Sequence, residues 1–338
     1  MRSYRLEKLG HLDGIVPREE PMPTPKPTDI LVRVHAVSLN RRDALILHER
    51  YPLPSAPGVV PLSDGAGEVV AVGAEVTRFK VGDRIVGGYW PRWHDGRLKP
   101  EFLDQFGCTL DGMLTEYALL DQQWAVPVPA HLSWEEAATL PCAGVTAWNS
   151  VVGGEPLRPG QTVLTLGTGS VSLFALQFAK MLGCRVISTT SGEIKAAKLE
   201  ELGADHVINN VDTPEWGQVV RELTEGQGAD LIVETNGPAT IEQSVRAAAL
   251  YGQIVLLAVS GPDGSHIEIS GEAYGSTLAT IRRIFAGNRT DHEAMNQAIT
   301  AHRLRPVIDR VFDFADAHDA FTHYLDGRPF GKVIIRID

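Results

Sequence analysis

Cysteine is scarce in this chain: Cys108, Cys142 and Cys184 stand alone in 338 residues, with no C-x-x-C pair and no cluster with histidines. A structural tetrahedral zinc site needs four Cys/His ligands, often in short-spaced pairs, so none is expected. Three scattered cysteines in a reducing compartment read as buried apolar residues. Long hydrophobic runs are missing as well. No apolar stretch approaches the ~20 residues that span a bilayer, and the opening Met1-Arg-Ser-Tyr-Arg-Leu-Glu-Lys8 lacks the apolar core of a signal peptide. Basic runs are absent from a chain of net charge −11, which argues against a nucleic-acid or anionic-membrane partner. No internal repeat or low-complexity segment appears. What is present, 43% hydrophobic and 22% charged residues, is ordinary for a globular protein with about two domains. A cytoplasmic enzyme acting on a small molecule fits best.

The most informative stretch is Thr162-Val-Leu-Thr-Leu-Gly167-Thr-Gly169-Ser170-Val171-Ser172. An apolar, β-rich run ends in closely spaced glycines and passes into the apolar stretch 171–182. Strand, tight turn and helix in that order let backbone N–H groups and a helix N-terminus face a pyrophosphate. Ser172 replaces the third glycine of G-x-G-x-x-G, and a small residue there still permits close helix–strand packing. A second strand-like run, Cys184-Arg-Val-Ile-Ser188-Thr189-Thr190-Ser191, ends in hydroxyls. An NAD site is expected to place Asp or Glu near Ser188 to accept from the ribose 2′-OH. None is there; Ser191 and Lys195 are available, with Lys198 one turn on. Hydroxyls plus a lysine suit a 2′-phosphate, which a carboxylate repels, so NADP(H) is favoured over NAD(H). Glu193 is the opposing observation, and a solvated helix face is the plain alternative for both lysines.

The first third reads as irregular β structure: Ile30-Leu-Val-Arg-Val-His-Ala-Val37, Gly65-Ala-Gly67-Glu-Val-Val-Ala-Val-Gly73 and Val81-Gly-Asp-Arg-Ile-Val-Gly87, with the proline-rich stretch 17–27 a surface connection. From Ser133 the character changes, beginning with the capping box Ser133-Trp-Glu-Glu136. Strand and helix patterns then alternate to about residue 259, which predicts βαβ units and a parallel sheet with helices on both faces. Residues 279–287 read as a final strand. The fold class is therefore α/β, a doubly wound parallel sheet beside a β-rich part.

These motifs resemble the medium-chain dehydrogenase/reductase superfamily over essentially the whole chain. The matches run in order: Ser63-Asp-Gly65-Ala-Gly67-Glu68, Val81-Gly82-Asp83-Arg84, Asp111-Gly112-Met-Leu-Thr-Glu116-Tyr117, Leu140-Pro141-Cys-Ala-Gly144-Val-Thr146-Ala-Trp148, the glycine turn, Leu202-Gly203-Ala204-Asp205 to Asn209, and Gly331-Lys332-Val. The zinc-independent, quinone oxidoreductase-like branch is most similar. The resemblance implies a chaperonin-10-like catalytic domain from residues 1–129 and 288–338, a Rossmann domain from 130–287, a cleft between them, and a homodimer paired near residues 281–285. It implies NADP(H) contacts at Thr146, Gly169, Ser170, Val171, Thr190, Ser191, Lys195, Asn209, Ala258, Val259, Ser260, Phe285, Ala286, Asn288 and Lys332. Asn210 stands where many relatives have a Tyr. Zinc-dependent relatives carry a ligand Cys near Asn40, a Gly-His-Glu where Leu62-Ser63-Asp64 stands, and a four-cysteine lobe where only Cys108 occurs. None of those ligands is in place, so metal-free chemistry is expected.

Without zinc, the alkoxide built by aldehyde reduction lacks its usual Lewis acid. Reducing an activated C=C or a quinone spreads the charge onto a distant oxygen, where hydrogen-bond donors, ordered water or the cofactor's own 2′-hydroxyl suffice. An NADPH-dependent reductase of enones, enals or quinones is the leading expectation. The alternatives are a zinc-free alcohol/aldehyde oxidoreductase and a low-turnover NADPH-binding protein. Candidate catalytic groups are Asn40, to orient a carbonyl or ribose, and Tyr51, to donate its OH. Loop capping and a half-buried interface Tyr are the plain alternatives. His94, in the aromatic insert Tyr89-Trp90-Pro-Arg-Trp93-His94, is a candidate general acid; an aromatic loop packed on its own domain is the alternative.

Overall fold

β1 (Arg2–Leu6) and β2 (Ile15–Glu19) open the chain as an antiparallel pair in which Pro17 stands opposite Tyr4. The proline-rich stretch thus begins inside a strand, tolerated because a two-stranded ribbon leaves an outer edge without ladder bonds. β3 (Asp29–Ser38) precedes the short helix α1 (Arg41–Leu47), then come β4 (Asp64–Val72), β5 (Arg84–Gly87), β6 (Tyr117–Asp121), β7 (Ala125–Pro127) and α2 (Trp134–Ala137). The computed structural model describes residues 1–55, 57–259 and 264–337.

Alternation of strand and helix then takes over, as the sequence predicts. After α3 (Val145–Val152) come β8 (Thr162–Leu166), α4 (Ser170–Met181), β9 (Arg185–Thr190), α5 (Glu193–Glu201), β10 (His206–Asn209), α6 (Trp216–Leu223) and β11 (Ala229–Glu234). α7 (Ile241–Ala247), β12 (Ala248–Leu256), α8 (Gly271–Gly275) and β13 (Thr280–Arg283) complete it. The six strands pair in the order β10-β9-β8-β11-β12-β13, all parallel. Every residue of β8 is buried, as a central strand covered by helices on both faces requires. This is the doubly wound Rossmann arrangement.

The chain returns to β structure through α9 (Arg289–His302), β14 (Ile308–Asp313), α10 (Ala317–Gly327) and β15 (Lys332–Arg336). These complete a sheet of order β14-β15-β3-β4-β5-β7, with β6 also on β3. One face carries Ile30, Val32, Val34, Val69 and Ile85; the other carries Ala36, Ala66, Val86, Val126 and Ile334 against Ala137 of α2 and Ala138 just after it. Each fully buried Val, Ile or Leu stabilises by about 1.5–3 kcal/mol. Gly67 is required by close approach: a Cβ there would lie 2.2 Å from the Arg33 carbonyl oxygen.

Contacts divide the chain into one unit of Met1–Val145 with Gly287–Asp338 and another of Thr146–Ala286. The family resemblance implies a first boundary at 129/130, close to the change of character at Ser133. Residues 130–145 instead pack with the first unit, because Trp134 stacks on His35 at 4.6 Å and α2 fills the second core. Among the described residues no helix is long and apolar enough to cross a membrane.

Candidate active site

In the second unit the strand order reverses between β8 and β11, so the crevice lies at their C-terminal ends. Gly167 leaves β8 at φ +73°, a left-handed conformation that favours glycine. Its N–H donates to the Thr189 carbonyl at 3.0 Å and the Thr189 hydroxyl at 3.2 Å. The hydroxyls of Ser172 and Thr235 donate to the Leu166 carbonyl at 2.6 and 3.0 Å, so the substituted third glycine position helps tie down the turn. Gly169 caps α4 with no side-chain bond, and a Cβ built there meets nothing within 4 Å. The first four N–H groups of a helix have no intrahelical partner and sit at its positive end. Gly169, Ser170 and Val171 therefore form an open cradle that fits a pyrophosphate.

The neighbouring strand ends explain which hydroxyls stay available. Ser188 is tied to Thr165 at 2.7 Å and Thr189 to Gly167, whereas Thr190 ends β9 and Ser191 is exposed beyond it. Lys195 lies half-buried in the first turn of α5, and Glu193 is exposed at its first position. Asn209 is occupied locally: its Oδ1 accepts from Val211 N–H at 3.1 Å, and its Nδ2 donates to Asp212. Buried Glu234 shapes the facing turn by accepting from the N–H groups of Asn236 and Gly237 and the hydroxyls of Thr240 and Ser244. Thr146 is buried in α3, with its carbonyl accepting from Ser150. Ala258 and Val259 follow β12, Phe285 and Ala286 follow β13, and Ala286 adopts φ +59°. Ser260 lies outside the described residues.

Two residues that the resemblance implies at the cofactor, Asn288 and Lys332, belong to the first unit and have side-chain partners there. Asn288 caps α9, exchanging bonds with Asp291 at 2.8 and 3.0 Å. Lys332 is 1% exposed and turned inward: its Nζ donates to the Leu39 carbonyl at 2.8 Å and Asn40 Oδ1 at 2.6 Å, and stands 3.6 Å from the Asp64 carboxylate. Asp64, fully buried, also accepts from the Ser63 hydroxyl at 2.7 Å and the Cys142 N–H at 3.2 Å. Cys142 sits in a single π-helical turn, Leu140–Gly144, a geometry frequent at functional sites. Burial raises its thiol pKa, and Asp64 adds to the rise. Sequence alone reads Cys142 as a buried apolar cysteine, whereas it is half-buried here; its place inside the Leu140-to-Trp148 motif is the signal of a role.

A chain of polar contacts continues from Asn40. Its N–H donates to Asp43 at 2.8 Å, Arg42 pairs with Asp43 at 3.3 Å, and Arg42 Nη2 donates to Gln105 Oε1 at 3.4 Å. The Arg42 guanidinium lies over the rings of Tyr51 and Tyr89, at 5.3 and 5.6 Å. Tyr51 OH donates to Gln105 Oε1 at 2.6 Å and lies 2.9 Å from Tyr89 OH. Burial pushes the Asp43 carboxyl up to about 6 despite Arg42, with repulsion from Asp64 contributing, and burial raises both tyrosines. Asn40 and Tyr51 are thus joined in one network, with the Tyr51 proton held by Gln105.

His94 is not part of it. The Trp93 and His94 carbonyls accept from the N–H groups of Arg289 and Thr290, both at 3.1 Å, and so cap α9. Burial, with Arg289 and Arg78 nearby, lowers the imidazole pKa and favours the neutral form. The aromatic insert packs on its own unit, with Trp90 buried and edge-on to Tyr89 at 5.5 Å.

Residues 26–130 match the alcohol dehydrogenase GroES-like domain, and residues 170–301 match the zinc-binding dehydrogenase family. A zinc-type alcohol dehydrogenase-like protein of Schizosaccharomyces pombe is 37% identical, with 98% of each chain covered. A quinone oxidoreductase of Pseudomonas aeruginosa is 32% identical, with 92% of each covered. A crystal structure of an NAD-dependent alcohol dehydrogenase superposes with a TM-score of 0.89 at 31% identity, covering 100% of both chains.

Proposed function

The chain belongs to the medium-chain dehydrogenase/reductase superfamily and is an NAD(P)H-dependent oxidoreductase, and from that premise we propose that it reduces an activated C=C or a quinone, with NADPH and without a metal. One observation carries the metal-free part. The first-unit positions at which zinc-dependent relatives hold their metal are gathered around the Lys332 ammonium, which takes up Asn40 Oδ1 and faces Asp64. Among the described residues no three His, Cys, Asp or Glu side chains converge as ligands. A cation of the chain's own in that donor set, beside Asp64, does not suit zinc.

NADPH, when bound, supplies the hydride. The open turn Gly169–Val171 receives the pyrophosphate; Ser191 and Lys195 lie after the next strand, where a 2′-phosphate needs donors and positive charge. Asn40 orients the acceptor's carbonyl through its Nδ2, and Tyr51, its proton held by Gln105, lines the same site. Charge pushed onto that oxygen is delocalised, so neutral donors and the nearby Arg42 stabilise it. His94 enters as the carbonyl cap of α9 rather than as the acid. A homodimer and a small-molecule substrate complete the reading.

Steady-state assays with NADPH and NADH across enals, enones, quinones, aldehydes and alcohols test this, with metal content and chelator sensitivity measured in parallel. The expected outcome is turnover of the conjugated acceptors, a preference for NADPH, and activity indifferent to EDTA. Turnover confined to simple alcohols and aldehydes, or activity tracking stoichiometric zinc, overturns it.

A further inference from the structure

The network around Arg42 has a surplus of one kind of group. Asn40 Nδ2, Arg42 Nε and Gln105 Nε2 are buried and have no hydrogen-bond partner, in side chains 5%, 4% and 0% exposed. Every other polar end of these residues is in use. Asn40 Oδ1 accepts from Lys332, Gln105 Oε1 accepts from both Tyr51 and Arg42, and the Asp43 carboxylate accepts from Asn40 N–H and Arg42. Each of these acceptors thus has a partner, and what is left without any is three donor nitrogens. They are close together: Asn40 and Arg42 are two residues apart at the start of α1, and Arg42 touches Gln105. Buried donors without partners are rare and individually unfavourable, so three in one contiguous network need an explanation.

We propose that Asn40, Arg42 and Gln105 form a subsite for an acceptor-only oxygen of the substrate, a carbonyl or a carboxylate. An alcohol oxygen also accepts, but it brings an O–H that these three donor nitrogens cannot accept. Arg42 adds positive charge, held over the Tyr51 and Tyr89 rings, and half-buried Tyr51 is where the network reaches solvent. This selects the oxidised, carbonyl-bearing partner over its alcohol. It rests on the reading of the site as one for activated carbonyl compounds, and names the residues that recognise them.

The test is calorimetric binding to the full-length protein without nucleotide, so that no ligand turns over, using 2-hexanone, hexanoate and 2-hexanol. The ketone separates a neutral carbonyl from the carboxylate, and at least one of the two should bind about tenfold or more tighter than the alcohol. Gln105→Glu and Asn40→Asp each replace the unpartnered NH2 group by a carboxylate oxygen at nearly constant shape, while keeping the oxygen that Tyr51 or Lys332 uses. Each should lower affinity for the preferred ligand about tenfold and leave 2-hexanol within about twofold. Equal binding of all three, no binding of any at millimolar concentration, or a parallel loss of the alcohol in both variants overturns the subsite. Turnover of conjugated acceptors without this preference defeats only the subsite; the preference without such turnover defeats only the proposed reaction.

Discussion

Replacing Lys332 by Met isolates the buried charge pair at the centre of the first unit. Lys332 and Asp64 are 1% and 0% exposed and 3.6 Å apart. At an effective dielectric of ~20, unit charges at that distance attract by about 4–5 kcal/mol. Removing one partner of a buried pair typically destabilises by about 3–5 kcal/mol, because the remaining charge stays desolvated. Asp64 retains the Ser63 hydroxyl and the Cys142 N–H as donors, so the lower end, about 3 kcal/mol, is expected. The assay is urea unfolding followed by tryptophan fluorescence, in which Trp90, Trp93, Trp124 and Trp134 report on this unit. Lys332→Met combined with Asp64→Asn should lose less than the sum of the single changes, since the double variant leaves no unpaired charge. A single-variant loss below about 1 kcal/mol, or strict additivity, refutes the pairing as the organising contact of the site.

Three further outcomes follow from the same structure. Burial lowers His292 to about 3; its folded pKa lies below the usual ~6.5, so stability is full above pH ~6.5 and is lost as pH falls towards 3, by about 1.4 kcal/mol per unit. His292→Leu should flatten that part of a stability-against-pH curve, and an unchanged slope between pH 6.5 and 4 would count against the buried neutral imidazole. Gly169→Ala places a methyl in open space at an ordinary φ of −70°, so melting should stay within about 1 °C, while the methyl obstructs the helix N-terminus and raises the KM for NADPH about tenfold or more. An unchanged KM argues against the pyrophosphate contact. Ser133→Ala removes the capping box formed with Glu136, at 2.8 and 3.2 Å, and should cost about 1 kcal/mol in urea unfolding.

The Rossmann half was legible because its information is local: buried runs such as Thr162–Leu166, helix periodicity and a glycine turn each lie within a few residues. The hydroxyls after β9 were only partly legible, because side chains choose between ligand and sheet. Ser188 and Thr189 are spent on Thr165 and Gly167, whereas Ser191 stands exposed beyond the strand. The chemistry of the first unit was the least legible, since its members come from residues 40–43, 51, 64, 105, 142 and 332, and their meeting depends on β15 pairing with β3. That pairing also sets the surroundings of Lys332. The family resemblance implies a cofactor contact for it, and β15 brings it under Leu39 and Asn40, where the surrounding oxygens hold its ammonium. The same geometry changes the meaning of Cys142. A cysteine without a nearby cysteine or histidine in sequence reads as a buried apolar residue, yet its backbone N–H anchors the carboxylate paired to that ammonium. Absence of zinc-ligand spacing therefore describes only half of the site, and the other half is the positive charge that the fold carries there.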